Sequence, residues 1–518
     1  MKDINKLNLS ILAKVFLKND NDVDEFLCYI VENFKENGEE IINQFIDDNV
    51  IDLEQYGNKV FNVSCANSYI GLIRFMLNNN RLSSQDEYDY AIWIASENGR
   101  VEVVKLLLAD KRVDLSATNN YAIRYTSANG HSEVVKLLLE DGRFDPSSDE
   151  NYAIKRASKY GHVEVVKLLL EDGRADPSAE YNFAINVASE NGHSEIVKLL
   201  LADKRVNPSA NGNYAIREAS ANGHVEVVKL LLADKRVDPS GDDNYAIQWA
   251  AFNGNVEVVK LLLEDGRVDP SADNNSAIKG ASQNGHVEGV KLLLADKRVD
   301  PSADNNYAIR AASKNGHVEV VKLLLADKRV DPSADNNYAI MIASANGHAE
   351  VVKLLLEDGR ADPSANDNYA IRKASENGHA EVVKLLLADK RVNPSANDNY
   401  AIMWASANGY VEVVKLLLED GRADPSANDN YVISIASENG HTEVVKLLLE
   451  DGRVDPSADD NYAIKEASQN GHVEVVKLLL EDGRADPSAN DNYAIRKASK
   501  NGHAEVEELL FKYFLSKM

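Results

Sequence analysis

The chain has 518 residues and a net charge of −26, from 57 basic and 83 acidic side chains. Nucleic acid and anionic membrane are excluded as main partners, because such binding neutralises phosphates with Lys and Arg, which this surplus of acid opposes. Cys28 and Cys65 form no CxxC, no apolar run is long enough to span a bilayer, and no cleavage-site pattern follows the opening segment, so a cytoplasmic protein is expected.

Tyrosine recurs every 31 residues from Tyr90 to Tyr493, with Phe183 and Ser276 in the two gaps. A fixed period of this length means one small supersecondary unit copied many times. No copy buries its own apolar face, so neighbours must stack into a continuous core. Residues 1–40 precede the array. Leu9, Ile11, Leu12, Val15 and Phe16, then Val23, Phe26, Leu27, Ile30 and Phe34, predict two amphipathic helices separated by residues 19–22. Residues 41–89 keep the register in faded form: Ser64-Cys65-Ala66-Asn67 stands 31 residues before Ala95-Ser96-Glu97-Asn98. Such degenerate units are expected at the ends, where the core must be sealed on one side. Residues 90–492 hold thirteen regular copies, and residues 493–518 form a C-terminal capping copy in which Glu507 replaces a core valine.

One unit, written from Tyr338, shows the design. In Tyr338-Ala339-Ile340 through Ala343-Ser344 the small and apolar residues fall three and four apart, which predicts a short helix ended by Asn346-Gly347. Residues 348–358 predict a second helix, apolar on more than one side, with Glu350 and Lys353 a turn apart on its wet edge. Gly-Arg, Asp-Pro and Ser-Ala-Asn-Asp form a turn-rich connector to the next copy. Where the second helix ends in Ala-Asp the chain continues Lys-Arg, and where it ends in Glu-Asp it continues Gly-Arg. This linkage reads as two versions of the unit copied as blocks.

Ala343-Ser344, Gly347-His348 and Glu350-Val351-Val352-Lys353-Leu354-Leu355-Leu356 resemble the ankyrin repeat, in that family's order. The resemblance implies an all-α solenoid of stacked helix-turn-helix units. The family's Thr-Pro-Leu-His opening is replaced by Tyr-Ala-Ile, and the unit is two residues shorter. Both residues are lost from the connector, so the β-hairpin finger is expected to be shortened or absent. The 31-residue unit also resembles ankyrin arrays of giant amoeba-infecting DNA viruses, which implies an adaptor in a host cytoplasm. The two N-terminal helices resemble, by their apolar faces alone, a docking element that recruits ubiquitin-ligase machinery. That is the alternative to a cap.

Catalysis is read by elimination. All 11 histidines sit in the Gly-His turn, one per copy, and stacked helices about 8–10 Å apart place them too far from one another to share an ion. They are expected to bond loop backbone. No phosphate loop or nucleophile elbow occurs. No enzyme activity, metal or cofactor is expected.

Function is then read from what differs between copies. Positions three, four and seven residues after each tyrosine vary, and this spacing puts them on one side of the first helix. The resemblance implies that this side lines a concave groove that holds a protein partner. The first of these ladders is basic at eight positions and acidic at none. The large side chains gather in three patches: Trp93, Ile94 and Tyr125 beside Arg124; Trp249 and Phe252; and Met341, Ile342, Met403, Trp404 and Ile435. Aromatic and Met side chains next to arginine are candidate interface anchors. Trp249 and Trp404 equally fit a packing role against the second helix. A non-catalytic, monomeric scaffold for a protein partner is the expected function, with a purely structural spacer as a further reading.

Overall fold

The computed structural model describes residues 22–34, 36–79, 85–110 and 120–517. Leu9, Ile11, Leu12, Val15 and Phe16 lie outside the described residues. Among the described residues every regular element is a helix, and the helices follow one another in pairs, two per copy. The chain divides into two compact units, one of Met1–Ala246 with Leu261–Val268, the other of Ile247–Lys260 with Asp269–Met518. Within each unit, first helices pack on first helices and second on second, the first more extensively.

The copy at residues 334–358 shows how the sequence produces this. Its first helix, Ala334–Ala345, buries Ala339, Ile340, Ala343 and Ser344, and its second, Ala349–Asp358, buries Val351, Val352 and Leu355. Ile340, Val351, Val352 and Leu355 are 0% exposed, and each such side chain contributes about 1.5–3 kcal/mol relative to leaving it in water. Gly347 ends the first helix at φ 78, the left-handed conformation that glycine adopts without a Cβ clash.

The finger is replaced by a left-handed turn. Asp335, Asn336 and Asn337 have φ of 56, 55 and 65 and ψ of 49, 44 and 31. Three left-handed residues also open the first helix in unit one, at Asp149, Glu150 and Asn151. L-residues adopt this conformation at a cost of about 1–2 kcal/mol each, least for Asn and Asp. The last Asn offsets part of that cost by reaching the next copy: Asn337 Oδ1 accepts from the Asp362 N–H at 2.6 Å. Asn151 does the same for Asp176 at 2.7 Å. Asp362 in turn accepts from the Ser364 N–H and hydroxyl at 2.9 and 2.7 Å. The absent strand thus has a replacement that satisfies the connector's polar groups.

The linkage of Glu-Asp with Gly-Arg and of Ala-Asp with Lys-Arg has a conformational basis beyond block copying. In the first form the second helix runs to Asp358 and Gly359 stands at φ 80. In the second it stops at Ala326, and Asp327 turns extended at φ −86, ψ 118. Among the described residues the lysine never takes the left-handed position. Both forms place the following arginine alike: Arg360 Nη1 donates to Val330 O at 2.6 Å and Arg391 Nη1 to Ala361 O at 3.0 Å, each across to the preceding copy.

These arginines also hold the aspartate two residues before them. Asp203, Asp234 and Asp389 lie below the ordinary carboxylate range, first because the Arg side chain donates to the carboxylate. A carboxyl depressed in the folded state contributes stability that is fully present above its unfolded value, near pH 4, and is lost as pH falls through the folded one. Burial pushes Glu218 and Glu466 up, in the opposite sense, but the Asp–Arg pair recurs copy after copy. Acid titration followed by circular dichroism is expected to show stability falling below about pH 4, with Asp203→Asn flattening that fall.

At the N-terminal end, helices Asp22–Asn33 and Gly38–Asp47 precede Leu53–Asn67. Phe26, Leu27 and Ile30 are fully buried with Ile42 and Phe61 in one core, and the Phe26 and Phe45 rings meet edge to face at 5.1 Å. The apolar face of the 22–33 helix is therefore covered by the array. Arg100 Nε donates to Ala66 O at 2.5 Å, 34 residues back, the interval spanned by the histidine contacts further along the chain.

Candidate interaction face

The first helices carry the variable positions, and their neighbours decide which of those positions remain available. Three residues after each tyrosine, the basic side chain reaches the left-handed turn of the next copy. Arg124 pairs with Asp149, Lys155 with Glu180 at 2.7 Å, Arg217 with Asp242 at 2.9 Å and Arg310 with Asp335 at 2.5 Å. Each also lies over the next copy's ring: Arg124 is 4.8 Å from the Tyr152 centroid and Arg217 is 4.5 Å from that of Tyr245. The basic ladder of an acidic chain is thus a set of cross-links between copies. The Arg124 side chain is only 11% exposed. At Met341, where the position is not basic, the neighbour is Asn366, whose Nδ2 lies 3.2 Å from the sulfur.

The position seven residues after the tyrosine does similar work. The Tyr214 hydroxyl donates to Glu190 at 3.1 Å, that of Tyr307 to Gln283 at 2.8 Å and that of Tyr400 to Glu376 at 2.8 Å. Burial first, and then the Glu190 carboxylate, push the Tyr214 phenol up to about 12. The histidines bond backbone as expected. All eleven place Nε2 within 3.0 Å of the carbonyl 34 residues earlier, as His379 does with Ala345 O at 3.0 Å.

What these cross-links leave exposed is aromatic. Trp249 and Phe252 are 39% and 37% exposed, with rings 5.2 Å apart. Trp404 is 38% exposed and its ring lies 5.8 Å from Tyr400. Met341, Ile342, Met403 and Ile435 are half-buried beside them in sequence register. In unit one, Trp93 is half-buried within a cluster of rings, 5.2 Å from Tyr90, 5.9 Å from Tyr121 and 6.1 Å from Tyr125. Its buried indole N–H has no hydrogen-bond partner among the described residues. Ile94 and Tyr125 are half-buried there too.

Two features escaped the sequence reading. Tyr181, 84% exposed, stands inside a left-handed turn, and its signal was Tyr where most other copies carry Asn or Asp. The second is Asn186, on the basic ladder but uncharged. Among the described residues no group of His, Cys, Asp and Glu is set to hold a metal ion, and no helix is long and apolar enough to cross a membrane.

The family model described as ankyrin repeats in three copies matches residues 92–182, 156–243, 185–277, 216–305, 278–367, 361–429, 402–491 and 433–517. Among solved structures, the ankyrin repeat protein EF0377 is 28% identical over 34% of this chain and 96% of its own, with a TM-score of 0.31. No curated protein matches the chain.

Proposed function

The chain belongs to the ankyrin-repeat family, whose repeats are in general protein–protein interaction modules, and from that premise we propose that it is a non-catalytic scaffold holding a protein partner along its first helices. One observation carries this reading. Trp249, Phe252 and Trp404 keep more than a third of their surface in water, at 39%, 37% and 38%, on a face where the charged residues are largely occupied with one another. Exposed Trp and Phe beside Met supply large apolar area at low entropic cost, the chemistry of interface anchors. The partner is a protein, bound without a cofactor. A host cytoplasm is the setting that the resemblance to viral arrays implies.

The test is affinity capture with the full chain and with Met403→Ala/Trp404→Ala. Partner affinity is expected to fall by about 2 kcal/mol or more, the scale of an interface hot spot, while hydrogen-exchange protection around residues 390–440 stays. Trp404 is too exposed for its truncation to open a core cavity. Undiminished affinity in the double variant would move the binding face elsewhere, and lost protection would make these side chains packing residues.

A further inference from the structure

The cation ladder is interrupted at one buried place in unit one, and the interruption leaves a cleft. Lys155 lies 5.9 Å from the centroid of the Phe183 ring and Arg217 lies 4.5 Å from that of Tyr245. Tyr214 is the ring between them in the series, and the position that would supply its cation from the preceding copy is Asn186. Asparagine is too short to reach across. A cavity of 630 Å³ opens there, lined by Tyr181, Phe183, Asn186, Glu190 and Tyr214 among others. This volume falls in the range of ordinary ligand sites.

Asn186 is itself only 5% exposed. Its Nδ2 donates to Tyr181 O at 3.2 Å, whereas its Oδ1 is buried with no hydrogen-bond partner among the described residues. An orphaned acceptor of this kind is destabilising and calls for a donor. Glu190 adds a carboxylate, of which Oε2 accepts from the Tyr214 hydroxyl. Lys159 also lines the cleft, but its ammonium lies over the Tyr160 ring at 5.8 Å. The site therefore offers an aromatic face, an unused acceptor and a negative charge. In the flanking copies the same surroundings are filled by a cation of the chain itself.

We propose that this cleft receives an arginine side chain of the protein partner, which completes the ladder that the chain's own cations form on either side. A guanidinium fits better than an ammonium because its plane stacks on a ring while its edge donates to Asn186 Oδ1 and Glu190. The net charge of −26 favours a basic partner segment by long-range attraction. The inference rests on the reading of the first helices as the partner-binding face.

The test titrates the full chain, carrying labelled tyrosine, with N-acetyl-arginine methylamide and with its neutral isostere, N-acetyl-citrulline methylamide. Ring resonances of Tyr181 and Tyr214 are expected to shift saturably with the arginine compound, with an affinity at least about tenfold above the citrulline compound. In Asn186→Arg, which fills the slot from within, the response is expected to vanish. No saturable shift, an equal response to citrulline, or an unaltered response in Asn186→Arg would overturn the proposal. The two-compound comparison on the unaltered chain decides the matter even where the variant folds poorly. A failed titration leaves partner capture through Met403 and Trp404 untouched, and failed capture leaves the titration untouched, so the two failures are distinguishable.

Discussion

Gly347→Ala is expected to destabilise its neighbourhood by about 3 kcal/mol, and Gly359→Ala by about 1 kcal/mol, although the two glycines share one backbone conformation. Their φ values are 78 and 80, so the cost of placing a Cβ in left-handed backbone is common to both. The surroundings differ. A Cβ on Gly347 would stand 2.7 Å from His379 Nδ1, whereas one on Gly359 would meet nothing within 4 Å. To make room the His379 ring must move, and its contact with Ala345 O at 3.0 Å breaks. A part-buried polar group without its partner adds about 1–3 kcal/mol.

The measurement is native-state hydrogen exchange across residues 334–390, because each copy contacts only its neighbours and global unfolding of such an array need not be two-state. A double-mutant cycle separates strain from crowding. With His379→Ala in place, Gly347→Ala should cost no more than Gly359→Ala does, leaving a coupling energy of roughly 1–2 kcal/mol. An unchanged cost in that background would show that the ring is not what excludes the side chain.

Period, helix pairing and strandless connectors were legible in the sequence because each depends on signals within one copy. Tyr338-Ala339-Ile340 and Ala343-Ser344 show helical spacing, Asn346-Gly347 shows the stop, and the short connector with proline leaves no room for a hairpin. The backbone role of the histidines followed from their having one equivalent place per copy. What stayed hidden depends on contacts between copies. Arg310 and Asp335 are 25 residues apart, a distance that carries no meaning until the stacking register is known. Comparison between copies does not supply it either: Arg372 and Lys465 stand 25 residues before Asn397 and Asn490, whereas the uncharged Gln248 and Ser434 stand before Asp273 and Asp459.

Which ladder residues stay exposed was only partly legible for the same reason. Ladder position alone put Arg124 and Trp404 side by side as reading residues. Cross-copy pairing removes most of the Arg124 surface, 11% of its side chain remaining exposed, and leaves Trp404 at 38%. The connector posed a different difficulty. Asn and Asp clusters announce a turn by composition, but they do not distinguish one left-handed residue from three in a row.

The left-handed turn itself carries the second large effect. Asn337→Ile is expected to cost about 3 kcal/mol, Asn337→Gly about 1 kcal/mol, and Asn337→Asp least of the three. Asn337 sits at φ 65 and ψ 31, where a β-branched side chain clashes with its own backbone and glycine does not. Its Oδ1 also accepts from the Asp362 N–H at 2.6 Å, and Pro363 follows directly in the chain, bringing no donor of its own. Isoleucine loses both the conformation and the acceptor, glycine loses only the acceptor, and aspartate keeps both. Hydrogen exchange at the Asp362 amide and in the helices Ala334–Ala345 and Ala365–Glu376 reads the order directly. Equal losses for isoleucine and glycine would mean that backbone strain plays no part in holding the copies together, and an aspartate variant as weak as glycine would mean that the hydrogen bond between copies does not.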